Sequence, residues 1–225
     1  GLVGESGCGK STLARLLLKL ISLDSGTVAI EGREISAVKG KELRKLRQSM
    51  QLIFQDSLAA FDPRMRIGVS LEAPLAQHHI GDYEERQKRV LRFLSEVGLD
   101  GSFYERFPSQ CSGGELQRAA IARALLLEPS FLICDEPTSS LDASVRAQVL
   151  NLLIELKGRF GLTILMITHD LRVDPLLEHE AGVGVAHGEA VLSLVFPFSN
   201  GGCRDHAGPS RTDGLTSFVE GPLFG

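Results

Sequence analysis

The chain has 225 residues, 43% of them hydrophobic and 23% charged, a net charge of −4 and four cysteines. This is a globular composition, long enough for one large domain or two small ones. The mild negative charge gives no ground for a nucleic-acid partner, and no run of about 18 apolar residues marks a spanning helix. Cys8, Cys111, Cys134 and Cys203 show no C-x-x-C spacing, which argues against zinc or a disulfide framework and fits a reducing setting.

Gly4-Glu5-Ser6-Gly7-Cys8-Gly9-Lys10-Ser11, followed by Thr12, fits G-x-x-x-x-G-K-[ST]. Glycines let the backbone curl so that successive N–H groups face a polyphosphate. The helix that follows adds its unpaired N–H groups and the positive end of its dipole. Lys10 suits the β- and γ-phosphates, and the Ser11 hydroxyl suits Mg²⁺. The plain alternative is a glycine-rich turn opening an ordinary helix, but an eight-position match carrying both Lys and Ser favours a nucleotide site. Only Gly1-Leu2-Val3 precede the loop, the stub of the strand that usually feeds it, so a truncated front is expected.

Residues 12–21 are helix formers with a broad apolar face, and Asp24-Ser25-Gly26 turns into a short strand over Thr27–Ile30. Lys41, Arg44, Lys45 and Arg47 surround Leu43 and Leu46 on a basic helix over 40–48, read as a solvated face. Met50–Phe54 reads as a buried strand leading to Gln55, which could offer an amide oxygen to a metal or simply end the strand. Asp62-Pro63-Arg64 breaks the chain. A helix is predicted over Tyr83–Val97, with Gly98 at its end.

Ser112, Gly113, Gly114 and Glu115 open an alanine-rich helix. This is either a second anion-binding helix start or a simple capping box, with Ser112 as cap and Glu115 three residues on. Phe131–Cys134 is an apolar strand that ends in two consecutive carboxylates, Asp135 and Glu136. Burying such charges costs several kcal/mol unless they are paired or bound to metal. Beside a phosphate-binding loop, the first acid can hold Mg²⁺ through water and the second can polarise an attacking water. A long helix over Ala143–Phe160 and a strand over Leu162–Thr168 follow, then His169, either a γ-phosphate contact or a structural histidine.

Taken in order, these features resemble the nucleotide-binding subunit of ABC transporters. Gly4–Ser11 is similar to Walker A, Gln55 to the Q-loop glutamine, and Cys111–Glu115 to the signature. Leu132–Glu136 is similar to Walker B with its catalytic glutamate, Ser140-Leu141-Asp142 to the D-loop, and His169 to the H-loop histidine. Phe54-Gln55-Asp56, Phe61–Arg64 and Glu136–Asp142 look most like the ATPases of oligopeptide, dipeptide and nickel importers.

The resemblance implies an α/β P-loop NTPase with a RecA-like parallel sheet and an inserted helical subdomain. On this chain that means an ABC ATPase domain over residues 1–173. Residues 1–64 and 128–173 would form the RecA-like lobe and 65–127 the helical subdomain. It implies ATP and Mg²⁺ as cofactors, with Ser11, Gln55 and Asp135 on the metal and Glu136, Gln55 and His169 in catalysis. Two cassettes pair head to tail, so that Ser112–Glu115 and Asp142 face the nucleotide held by the other. Membrane permease subunits and an extracytoplasmic substrate-binding protein are the further partners, with the chain peripheral on the cytoplasmic face of the membrane.

Three departures are visible. The family's front strands and its adenine-stacking aromatic are absent, and the signature carries Glu115 where glutamine is usual. The resemblance also stops near Val173. Residues 174–225 hold two Arg, no Lys and seven acids, against 22 basic and 21 acidic groups before them. They read as an atypical, poorly ordered tail, and within it residues 199–225 show no period of 2 or 3.6 and read as loop or disorder. The leading expectation is therefore an importer ATPase. The alternatives are an inactive, truncated remnant of such a cassette and an ABC ATPase with no transport role.

Overall fold

The computed structural model describes residues 1–3, 7–24, 26–30 and 33–169, and the backbone alone of 184–185, 192–194 and 217–219. It divides into two compact units, Gly1–Val38 with Thr168–Gly225, and Lys39–Ile167.

In the first unit, β1 (Leu2–Val3) is buried and pairs in parallel with β7 (Gly184–Val185). α1 (Lys10–Leu17) buries Leu13, Ala14 and Leu17 on one face. It starts two residues before the predicted helix and ends four before it. The stop comes from Lys19, which adopts a left-handed φ of 51° while its N–H bonds to the Leu16 carbonyl at 2.9 Å. The Lys19 ammonium then donates to the Val38 carbonyl at 2.9 Å and to that of Ser36, tying the helix end to the next segment. β2 (Ala29–Ile30) and β3 (Arg33–Glu34) form a short antiparallel pair, with β2 at the end of the predicted Thr27–Ile30 strand. Two further strands, β8 (Leu192–Leu194) and β9 (Ser217–Val219), pair antiparallel, β9 within the stretch 199–225 that reads from sequence as loop.

The second unit is built on a parallel sheet of β4 (Met50–Ile53), β5 (Phe131–Asp135) and β6 (Thr163–Thr168), with β5 between the other two. Phe131–Cys134 are all buried, the near-continuous apolar run that a strand covered on both faces requires. α6 (Ala143–Phe160) buries Val149, Leu150, Leu152, Leu153 and Leu156, and Gly161 ends it with a φ of 61°, a conformation glycine adopts without strain. α2 (Gly40–Ser49) buries none of its residues, consistent with a solvated basic face.

Between β4 and β5 the chain is helical. α3 (Ile67–Gln77), α4 (Tyr83–Glu96) and α5 (Gly113–Leu125) pack against one another. Asp82 caps α4 in a full capping box with Glu85, and Gly98 follows the helix at a φ of 73°, as its sequence position predicts. The core of this part is Phe93, fully buried and stacked on Phe160 with ring centroids 5.8 Å apart. Arg159 extends the seam by pairing with Glu96 at 2.6 Å. No helix among the described residues is long and apolar enough to cross a membrane.

Candidate functional site

Parallel sheets bind ligands at the carboxyl ends of their strands, where chains leave the sheet as loops. In the second unit that edge carries Gln55, two residues past β4, and Asp135 and Glu136 at the end of β5. The register Ile53↔Cys134 brings these residues to one end of the same sheet. Asp135 and Glu136 are half-buried and Gln55 is exposed. His169 directly follows β6 and is exposed; with the phosphate-loop residues it falls in the first unit.

In that unit Gly7 and Gly9 take φ values of 86° and 95°, left-handed geometry in which successive N–H groups turn inward. A Cβ at Gly7 would meet nothing within 4 Å, so backbone conformation and not crowding selects glycine there. α1 begins at Lys10, with Gly9 as its N-cap and no side chain bonded to the cap. Lys10 is buried and its ammonium lies 3.9 Å from the Cys8 sulfur, while Ser11 and Thr12 are half-buried. Gly4, Glu5 and Ser6 lie outside the described residues. The nest and the open helix start fit a polyphosphate. Ser11, Gln55 and Asp135 are all oxygen donors, the ligand type Mg²⁺ takes.

Glu136 stands out in its backbone. Its φ is 48°, left-handed for a residue that is not glycine, and Pro137 follows it, which restricts it further. Strain of this kind gathers at functional sites and persists only where the surroundings enforce it. Here the Glu136 N–H donates to the Ile167 carbonyl at 2.9 Å, carrying the β5–β6 ladder one residue onward. Its own carbonyl accepts from the Ser139 N–H at 3.2 Å and from the Ser139 hydroxyl at 3.1 Å. Ser139 was not singled out from sequence, although a serine three residues after a carboxylate at a turn is a spacing that makes such bonds.

Ser112 caps α5 in a reciprocal box. The Ser112 N–H donates to Glu115 Oε2 at 2.7 Å, and the Glu115 N–H donates to the Ser112 Oγ at 3.3 Å. The bond from the Ser112 N–H and the adjacent Ser112 side chain hold the Glu115 carboxyl below its ordinary value, with a smaller contribution from Arg106, whose guanidinium stands 4.0 Å away. The glutamate in place of the usual glutamine is thus occupied by the cap. Asp142 caps α6 from one side only, accepting from the Val145 N–H at 3.0 Å and the Ser144 hydroxyl at 2.8 Å, which lower its carboxyl pKa. Gly113 is exposed and Gly114 half-buried at the first turn of α5.

A parallel-sheet α/β chain in which a strand runs through a glycine nest into a helix is a P-loop NTPase by fold. The comparisons narrow the class: a family model described as ABC transporter matches residues 1–139, and the chain belongs to that family. It is 47% identical over 174 residues to the oligopeptide transport ATP-binding protein OppF of Escherichia coli, covering 77% of this chain and 52% of that protein. It is 46% identical over 182 residues to the glutathione import ATP-binding protein GsiA of Pectobacterium atrosepticum, covering 81% of this chain and 29% of that protein. The chain therefore spans about half the length of the curated relatives it matches, and less than a third of one. Among solved structures it resembles the dimeric ATP-binding cassette MJ0796 in a post-hydrolysis state bound to ADP and Pi. That match has a TM-score of 0.67 and 34% identity over 76% of this chain and 75% of the other.

Proposed function

We propose that this chain binds and hydrolyses ATP to power an ABC importer for peptides or a related small solute. The observation that carries the reading is the left-handed pair Gly7 and Gly9 opening directly into α1 at Lys10, within a complete phosphate-loop sequence. The peptide and glutathione import roles of the relatives support the solute class.

The loop N–H groups and Lys10 hold the β- and γ-phosphates. Ser11, Gln55 and Asp135 would hold Mg²⁺, which supplies positive charge to the phosphate oxygens. Glu136 accepts the proton of a water attacking the γ-phosphorus as the bond to the β-phosphate oxygen breaks, releasing ADP and phosphate. His169 donates to the γ-phosphate. Ser112, Gly113, Gly114 and Glu115, with Asp142, face the nucleotide of a second cassette; the dimeric state of MJ0796 supports the pairing of two cassettes. Permease subunits at the cytoplasmic face of the membrane, served by an extracytoplasmic binding protein, complete the transporter.

The test is nucleotide binding and phosphate release by the chain, its Lys10→Ala variant and its Glu136→Gln variant. Binding lost in the first and retained in the second, with release abolished in both, supports the proposal. No binding by the unaltered chain overturns it in favour of an inactive remnant.

A further inference from the structure

α5 and α6 begin side by side in the second unit, each with a polar cap at its first turn, Ser112 on one and Asp142 on the other. The contacts between them form a seam. A Cβ at Gly113 would lie 3.5 Å from Leu141 Cδ2, ordinary van der Waals distance. A Cβ at Gly114 would lie 2.5 Å from Val145 Cγ1, closer than side chains approach. One helical turn beyond Gly114, Arg118 donates to the Gln148 side-chain oxygen at 3.0 Å and to the Val97 carbonyl at 3.1 Å. Gly114 and Arg118 are thus an i, i+4 pair on α5 facing Val145 and Gln148, an i, i+3 pair on α6. Val145 serves both sides, because its N–H is also the donor held by the Asp142 cap at 3.0 Å.

From this we infer that Gly114 is a packing glycine, and that its contact with Val145 is a positioning contact that sets the spacing between the Ser112 and Asp142 caps. Two adjacent glycines open the helix, but only the second is required by the neighbouring helix. Val145 has little freedom to withdraw, since a β-branched side chain in a helix is held near one χ1 rotamer. An alanine at 114 therefore pushes the start of α5 away from α6. It moves Ser112 relative to Asp142 while leaving Lys10 and the phosphate loop unaltered. The inference rests on the proposed function for its consequence, because those two caps are the groups offered to the second cassette's nucleotide.

The experiment is a double-mutant cycle of Gly114→Ala and Val145→Ala, reading Tm, the KM for ATP and kcat. Gly114→Ala alone should lower Tm by roughly 2–8 °C and kcat by about tenfold or more, leaving KM within about twofold. Val145→Ala clears the space, so the double variant should recover most of both losses, a non-additivity expected of residues in contact. Persistence of the kcat loss in the double variant would show that Gly114 is needed for the nucleotide directly and would overturn the inference; so would a KM rising in step with the kcat loss. If the unaltered chain hydrolyses no ATP, the functional reading fails. The Tm cycle then decides the contact alone, recovery in the double variant supporting it and additive losses overturning it.

Discussion

Replacing Glu115 by glutamine separates two roles that the sequence leaves superimposed, capping and charge. A glutamine can still accept from the Ser112 N–H, so the reciprocal box at the start of α5 survives. What disappears is the negative charge, whose attraction to an exposed helix N-terminus is worth about 0.3–1 kcal/mol. The Arg106 pair, at 4.0 Å and more than a third exposed on both sides, adds at most a few tenths of a kcal/mol. The expected cost at neutral pH is about 0.5 kcal/mol, or roughly 1–2 °C in Tm for a chain of this size. Because the folded carboxyl titrates below its ordinary value of 4.5, this stabilisation is present above that value. It is lost as the pH falls through the depressed folded value, so the Tm gap between the two proteins should close in acid. For association with a second, ATP-loaded cassette the sign reverses. In the proposed pairing a carboxylate near the other cassette's triphosphate is repelled by it, so the variant should associate more tightly. Thermal unfolding from pH 3 to 8 and sedimentation velocity with ATP measure the two effects. A loss of more than about 2 kcal/mol that persists in acid would refute the capping account, and weaker ATP-driven association would refute the charge account.

Glu136→Gln should lower the hydrolysis rate by about 10²- to 10⁴-fold with nucleotide affinity nearly unchanged, read by phosphate release beside equilibrium binding. Phe93→Ala removes a fully buried ring stacked on Phe160 and should cost about 3–5 kcal/mol, seen as a fall in the urea midpoint. Gly68→Ala would place a Cβ 2.4 Å from ring carbons of Tyr104, whose hydroxyl donates to Glu72; a loss of about 1–3 kcal/mol is expected, partly restored by Tyr104→Ala. Burial drives the Cys134 thiol far above its usual range, so pulsed alkylation with mass-spectrometric readout should leave it unlabelled until the chain unfolds, while the part-exposed Cys8 reacts in the native state.

Where local pattern and tertiary environment agree, the sequence was sufficient. Phe131–Cys134 is an unbroken apolar run, and Ala143–Phe160 keeps a helical period from an aspartate cap to a glycine stop, so both elements fall where they were expected. The Ser112–Glu115 box was equally readable, because a cap is a matter of spacing within four residues. For α3 the helical texture after Asp62-Pro63-Arg64 was legible but its bounds were not, because the helix is apolar on most sides and carries Pro74 inside. α1 ends early because Lys19, not a glycine, takes the left-handed turn, which no propensity announces. In the candidate site, residue types that chemistry demands were legible, as Lys10, Asp135 and Glu136 were. The features that depend on a neighbour were not. Nothing in the local sequence says that Gly114 faces Val145, or that Ser139 bonds back to the Glu136 carbonyl.

The left-handed backbone at Glu136 places two opposed demands on one position. Conformation alone would select glycine, asparagine or aspartate, which enter that region most readily, whereas glutamate accepts a penalty of about 1–2 kcal/mol. Reach selects the longer side chain, since aspartate would withdraw the carboxylate by one methylene. Aspartate is therefore the gentle replacement for the fold while it shortens the reach, and glutamine keeps both the reach and the backbone penalty but gives up the proton acceptor. Tolerance at this position should consequently rank differently by stability than by turnover, and a stability screen would favour the very substitutions that retract the reacting group.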